Sequence, residues 1–213
     1  MVVRGMVYGP IYINLDHRTD RRIVFEGECK TLGLDPIRCR AEYTPKHGSL
    51  GCLRSHLNAL SSGSYSEPTW ICEDDCTFLV PRETLDAVIG EFLESSADIL
   101  CLAFASRKDL SMSPLLKRTT DCQTASSYIV KPAFRKVLLT FWQSVLECKE
   151  NESEHPRKPE FMRLSVHKGE FETTDQSWKL LQQSHVFVIP KIRCAKQRES
   201  YSDIEHMNVN YNV

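Results

Sequence analysis

The chain has 213 residues, 41% hydrophobic and 26% charged, a balance that supports one substantial core and little more. Its 27 basic and 28 acidic residues nearly cancel, which excludes a nucleic-acid binder working through a dominant basic surface. No apolar run approaches the roughly 18 residues of a membrane span and no opening segment resembles a signal peptide; with nine scattered cysteines, this predicts free, mostly buried thiols in a reducing cytoplasm.

Residues 6–15, MVYGPIYINL, form a first expected strand, which stops at DHRTDRR. There Asp16 and Thr19 are candidate helix caps, and Arg18, Arg21 and Arg22 form a basic cluster ahead of a helix ending near Gly33. PIRCRAEY (36–43) alternates like a strand, and SLGCLRSHLNALSSG (49–63) sets Leu50, Leu53, Leu57 and Leu60 at helical spacing. A strand, TWIC, then runs into three adjacent acids, Glu73, Asp74 and Asp75. Residues 81–96 are an amphipathic helix with Pro81 near its start.

Two further strands are expected at DILCLAF (98–104) and TASSYIV (124–130), followed by a long helix over 132–149. The polar stretch 150–172 is expected to be an insertion or mobile loop. A helix at 175–183, a strand at 185–190 and a polar tail (205–213), readable as a linker to further domains, complete the chain. No internal repeat is visible. Strands alternating with helices predict a single α/β domain with a mixed, mostly parallel central sheet flanked by helices. Ligands of such sheets bind at the carboxyl ends of strands.

Two strand ends carry ligand-ready residues. INLDHRTDRR offers guanidinium forks suited to phosphate. WICEDDC offers hard oxygen ligands suited to Mg²⁺ or Mn²⁺, which bind one or two protein carboxylates and leave substrate phosphates to complete the shell. Taken separately, the acidic run also fits a solvated turn and the arginines a solvated helix face. Cys72 and Cys76 flank the acids, but C-x₃-C without a second pair is a weak zinc signal.

His56 on its helix reads as either a satisfied structural residue or a catalyst. Asp175, after two threonines, reads equally as a helix N-cap or as a general base. Ser127 and Tyr128 lie on a strand, where their hydroxyls are structural or reach a sugar.

Several of these segments, in order, resemble glycosyltransferase family twenty-five, which includes lipooligosaccharide and procollagen galactosyltransferases. IYINLDHRTDRR resembles its opening, GSLGCLRSH its G-x-x-G-C-x-x-S-H segment and WICEDD its LEDD motif. ASSYIVKPAFRKVL, TTDQSW and SYSDI resemble later segments, so the likeness runs from residue 11 to residue 204. Size and cysteine content resemble the N-terminal domains of chlorovirus enzymes that build capsid glycans in the host cytoplasm.

The resemblance implies a GT-A-like fold, a UDP-sugar donor, a glycan or glycoprotein acceptor, and Mn²⁺ or Mg²⁺ held by Asp75 with Glu73. It implies a nucleotide pocket lined by Asn14, Leu15, Asp16 and Arg18, with Glu73 or Asp74 toward the ribose and Arg21 or Arg22 toward phosphate. Asp175 is the candidate base, and His56, Ser127 and Tyr128 are candidate sugar or acceptor contacts. Two other classes fit the same residues. A nucleotidyltransferase would show a glycine-rich phosphate loop after the first strand, which NLDHRTDRR lacks; a sugar-binding domain without activity would not need the acidic run.

Overall fold

The structure, a computed structural model, describes residues 9–45, 47–151, 173–202 and 207–210. The loop expected over 150–172 therefore lies almost wholly outside the described residues. Along the chain run β1 (Ile11–Asn14), α1 (Thr19–Thr31), β2 (Ile37–Arg40), α2 (Gly48–Ser62), β3 (Thr69–Glu73), β4 (Cys76–Phe78) and α3 (Arg82–Glu94). Then come β5 (Ile99–Cys101), β6 (Ala105–Ser106), β7 (Asp109–Ser111), β8 (Leu116–Thr119), β9 (Cys122–Gln123), β10 (Ser127–Val130) and α4 (Pro132–Glu150). The short helix α5 (Thr174–Ser177) continues into a 3₁₀ turn (Trp178–Gln183), followed by β11 (Phe187–Pro190), β12 (Ala195–Gln197), β13 (Ser200–Ser202) and β14 (Met207–Val209).

Eight strands form the main sheet in the order β2-β1-β3-β10-β5-β11-β8-β7. It is mixed, as expected, but parallel pairing is not the majority: β1 with β2, β1 with β3 and β5 with β11 are parallel, and the other four pairings are antiparallel. The reason is the connection into β10. A parallel neighbour needs a crossover, usually a helix, whereas residues 102–126 link β5 to β10 through β6–β9 and no helix. The sequence reading passed over those short strands because their residues are largely polar.

Central strands are buried on both faces, which is why they read as continuous apolar runs. Ile13, Ile71, Ile99, Tyr128 and Val130 face one cluster with Leu53, Leu57 and Leu60 of α2 and Phe134, Leu138 and Trp142 of α4. Tyr12, Trp70, Cys72, Leu100 and Ile129 face the other, with Phe25 of α1 and Leu85, Val88 and Phe92 of α3. The result is three layers, each buried leucine contributing about 2 kcal/mol. All nine cysteines are free and seven are buried. Among the described residues no helix is long and apolar enough to cross a membrane.

The start of α1 differs from expectation. Its N-cap is Arg18, with no side-chain cap bond, and Asp16 instead pairs with Arg38 (2.8 Å) and Arg40 (2.7 Å). Asp20 supplies the first-turn negative charge that favours a helix N-terminus. Arg18 Nε and Nη2 each donate to one of its carboxylate oxygens at 3.0 Å, lowering its carboxyl to about 2.

Candidate functional site

β1 and β3 are parallel neighbours with Ile13 opposite Glu73, so the two ligand-ready segments open on one edge, as the sequence predicted. The Asp74 N–H donates to the Ile13 carbonyl at 3.1 Å and fixes the acidic turn there. A cleft enclosing about 170 Å³ lies at this edge, lined by Leu15, Arg21, Tyr43, Cys52 and Gln197 together with the acids. Ser202 and Val209, from the β13–β14 hairpin, complete its wall. The described part of the expected linker thus folds back on the site. Small-molecule sites usually offer roughly 300–1,000 Å³, so with the hairpin in place only part of a nucleotide sugar fits inside.

The three acids have different surroundings. Asp74 accepts from Asn14 Nδ2 (2.7 Å) and Arg21 Nη1 (2.9 Å), yet burial still raises its carboxyl above the ordinary range. Asp75 Oδ2 faces Arg21 Nη1 at 3.1 Å and accepts from Gln197 at 3.2 Å, while its buried Oδ1 has no hydrogen-bond partner among the described residues. Burial, and then the charge of Glu73, push Asp75 up to about 7. Glu73 Oε1 meets His56 Nε2 at 3.1 Å and the Cys52 thiol at 3.8 Å.

Asp175 belongs to the same electrostatic neighbourhood. Burial raises its carboxyl first, and the charge of Glu73 adds to the effect. It is not the helix N-cap, a place taken by Thr173. Its Oδ2 accepts the Thr124 N–H at 3.1 Å, and Thr124 holds a φ of 85°, an unusual conformation for a β-branched residue. Such strain persists where surrounding structure enforces it and concentrates at functional sites.

Of these four carboxylates, Asp74 and Asp75 share one guanidinium, Arg21, whose second nitrogen also donates to Ser200 Oγ (2.6 Å) and the Tyr201 carbonyl (2.7 Å), while Glu73 faces His56 and Asp175 feels the charge of Lys179. One positive charge does not balance the Asp74–Asp75 pair, and the buried Asp75 Oδ1, a hard donor, has no hydrogen-bond partner among the described residues. The donor set fits a divalent cation.

Other expected residues fall elsewhere. Leu15 lines the cleft, but Asn14 acts from beneath, tying Asp74 to the Arg18 carbonyl and accepting from Arg38. Asp16 is bound up with Arg38 and Arg40, and Arg18 with Asp20 and the Tyr201 carbonyl. Arg22 points outward to Glu26, so the phosphate role left open between two arginines cannot fall to it in this arrangement. Ser127 is fully buried, accepting from Trp70 Nε1 and contacting the Cys72 thiol at 3.3 Å. Tyr128 and His56 are also fully buried, and Tyr128 bonds His56 Nδ1 at 3.0 Å. Cys72 and Cys76 pack in the core rather than forming a metal pair.

Sequence reasoning missed Cys52, Tyr43, Thr124 and Gln197. For Cys52 a signal existed: Cys52 and His56 are four apart on a helix and so share a face. Among the described residues, Cys52, His56 and Glu73 form a group whose potential metal-binding atoms all lie within 4.8 Å of one another. No protein-family model and no curated protein matches the chain.

Proposed function

We propose that the chain is a divalent-cation-dependent glycosyltransferase of GT-A-like architecture, moving a sugar from a UDP-sugar to a hydroxyl of a glycan or glycoprotein acceptor. The observation that carries this reading is the buried Oδ1 of Asp75 at the end of β3, without a hydrogen-bond partner among the described residues and beside Asp74, with which Asp75 shares the Arg21 guanidinium. The ordered resemblance of the sequence motifs supports the choice of reaction. In this reading Asp75 and Glu73 hold Mn²⁺ or Mg²⁺. When bound, the cation neutralises charge developing on the diphosphate leaving group.

The chain's own groups do the rest. Asn14 and Arg21 fix Asp74, which keeps the turn carrying Asp75 in register with β1. Leu15 and Tyr43 form the walls against which a nucleoside packs. Asp175, held by the Thr124 N–H, takes the proton of the attacking acceptor hydroxyl if the reaction inverts the anomeric centre, and orients the sugar if it retains.

The test is a panel of nucleotide sugars with Mn²⁺, read as release of free UDP, for the wild type and Asp75→Asn. Cation-dependent UDP release that collapses in the variant is the expected result. Uridine nucleotide binding untouched by chelator and by the substitution overturns the reading. Pyrophosphate released in place of UDP assigns the site to a nucleotidyltransferase, and cation-dependent UDP binding without turnover on any acceptor leaves a binding domain.

A further inference from the structure

We propose that Cys52, His56 and Glu73 form a second cation site on the cleft wall, selective for a zinc-class ion through mixed sulfur, nitrogen and oxygen ligation. The proposal does not depend on the glycosyltransferase reading, although the two sites share Glu73. Hard-oxygen sites suit Mg²⁺ and Mn²⁺, whereas thiolate with imidazole suits zinc and its relatives.

The geometry needs little adjustment. In a tetrahedral zinc site, bonds of about 2.0–2.3 Å place neighbouring ligand atoms roughly 3.3–3.8 Å apart. Here His56 Nε2 is 3.1 Å and Cys52 Sγ 3.8 Å from Glu73 Oε1. The three come from two rigid elements: Cys52 and His56 lie one helical turn apart on α2, and Glu73 closes β3. A thiolate and a carboxylate balance the two charges of the ion.

The surroundings are those of a supported site. His56 is fully buried, with its far nitrogen, Nδ1, 3.0 Å from the Tyr128 hydroxyl. A metal-bound imidazole needs its other nitrogen held in this way, and such partners tune affinity. Without metal, Glu73 as a carboxylate only accepts, so Nε2 carries the proton and Tyr128 donates to Nδ1. With metal on Nε2, the proton moves to Nδ1 and the tyrosine oxygen accepts it. The hydroxyl serves both tautomers. Burial, and then the charges of Glu73 and Asp175, raise the Cys52 thiol well above its ordinary value, with a hydrogen bond from Thr174 acting the other way, so the ion must displace the thiol proton as it binds. Cys52 and Glu73 line the cleft while His56 sits behind them. Three protein ligands with one open face is the form of a reactive or exchangeable site rather than a sealed structural one.

The test is titration of the metal-free full chain with Co²⁺, which reports thiolate ligation by a charge-transfer band in the near ultraviolet. The expected result is one equivalent showing that band with strong tetrahedral ligand-field absorption, both displaced by Zn²⁺. Cys52→Ser abolishes the charge-transfer band, and Tyr128→Phe weakens Co²⁺ binding at least tenfold. Cys39→Ser, which alters the other half-exposed thiol, changes nothing. Asp75→Asn keeps the band, separating this site from the cation of the proposed transferase reaction. Thermal unfolding of each variant confirms that it is folded. No charge-transfer band at saturating Co²⁺, or a band that survives Cys52→Ser, overturns the proposal.

Discussion

Arg21 Nη1 lies 3.1 Å from Asp75 Oδ2, with both side chains more than four-fifths buried, at 13% and 8% exposure. The same nitrogen serves Asp74 at 2.9 Å. Removing one partner of a buried pair leaves an uncompensated charge and costs about 3–5 kcal/mol. Arg21→Gln is therefore expected to lower stability by that order at pH 8, and Mn²⁺ to restore part of the loss. Because Arg21 also holds Ser200 and the Tyr201 carbonyl, the variant frees the β13–β14 hairpin and speeds proteolysis there. Arg22→Gln, one residue away but paired outward with Glu26, leaves the urea midpoint unchanged. Equal effects of the two substitutions would contradict this placement.

Asp75 makes stability pH-dependent in a direction that its environment fixes. Burial and Glu73 raise its carboxyl from 3.8 to about 7. A group with a higher pKa folded than unfolded favours the fold while protonated. Its contribution is whole below about pH 4 and is lost as pH rises through 7, amounting to at most about 4 kcal/mol. Asp75→Asn is expected to flatten the decline of stability between pH 4 and 8, measured by urea unfolding in chelator. Parallel profiles for wild type and variant would show that Asp75 does not ionise as described.

Much of the fold was legible because burial wrote it into the chain. Residues 99–101 and 127–130 are buried on both faces of the sheet, and the leucines of α2 repeat at helical spacing. The direction of β10 was not legible, since apolar runs carry no sign of strand polarity and the linking strands are polar. At the site, the meeting of two strand ends was legible because both end in polar residues; that Asn14 bonds Asp74 was not, since the same side chain suits a nucleotide pocket. Arg21 and Arg22, by contrast, are indistinguishable in sequence; only the rotation of α1 sends one inward. Ser127 and Tyr128 alternate on one strand, so one had to face the α1–α3 layer, and hydroxyl chemistry alone could not say which.

Gly51 shows how the cleft wall is kept close to α2. A Cβ built there would lie 2.7 Å from the Glu42 carbonyl oxygen and 2.8 Å from the Thr44 hydroxyl. Ser55 ties the same segment down, accepting the Glu42 N–H at 2.8 Å and donating to the Gly51 carbonyl at 2.7 Å. Gly51→Ala therefore pushes residues 42–44 away from the helix, although alanine is the better helix former. Overpacking against backbone costs about 1–3 kcal/mol, so a lower melting temperature is expected, with weaker nucleotide binding because Tyr43 and Thr44 line the cleft. A gain in stability would show that the segment yields freely.

Asp175 is the residue on which the chemistry of the proposed reaction turns. Its carboxyl is raised by burial and by Glu73, and its Oδ2 is fixed by the backbone N–H of a strained Thr124. A raised pKa makes a carboxylate a stronger base, at the cost of being protonated over a wider acid range. For an inverting reaction Asp175→Asn is expected to lower kcat by about 10²–10⁴, with the KM for the donor little changed because Asp175 lies outside the donor cleft. The acid limb of the wild-type kcat–pH profile should fall above the range of an ordinary aspartate, since activity needs the ionised form. If product analysis shows inversion while Asp175→Asn retains full kcat, the base lies elsewhere. If it shows retention with a loss confined to KM, Asp175 holds the sugar rather than the proton. Thr124→Gly gives an independent check: it relieves the strained φ while leaving the N–H in place, so stability rises while loosened positioning of Asp175 lowers kcat.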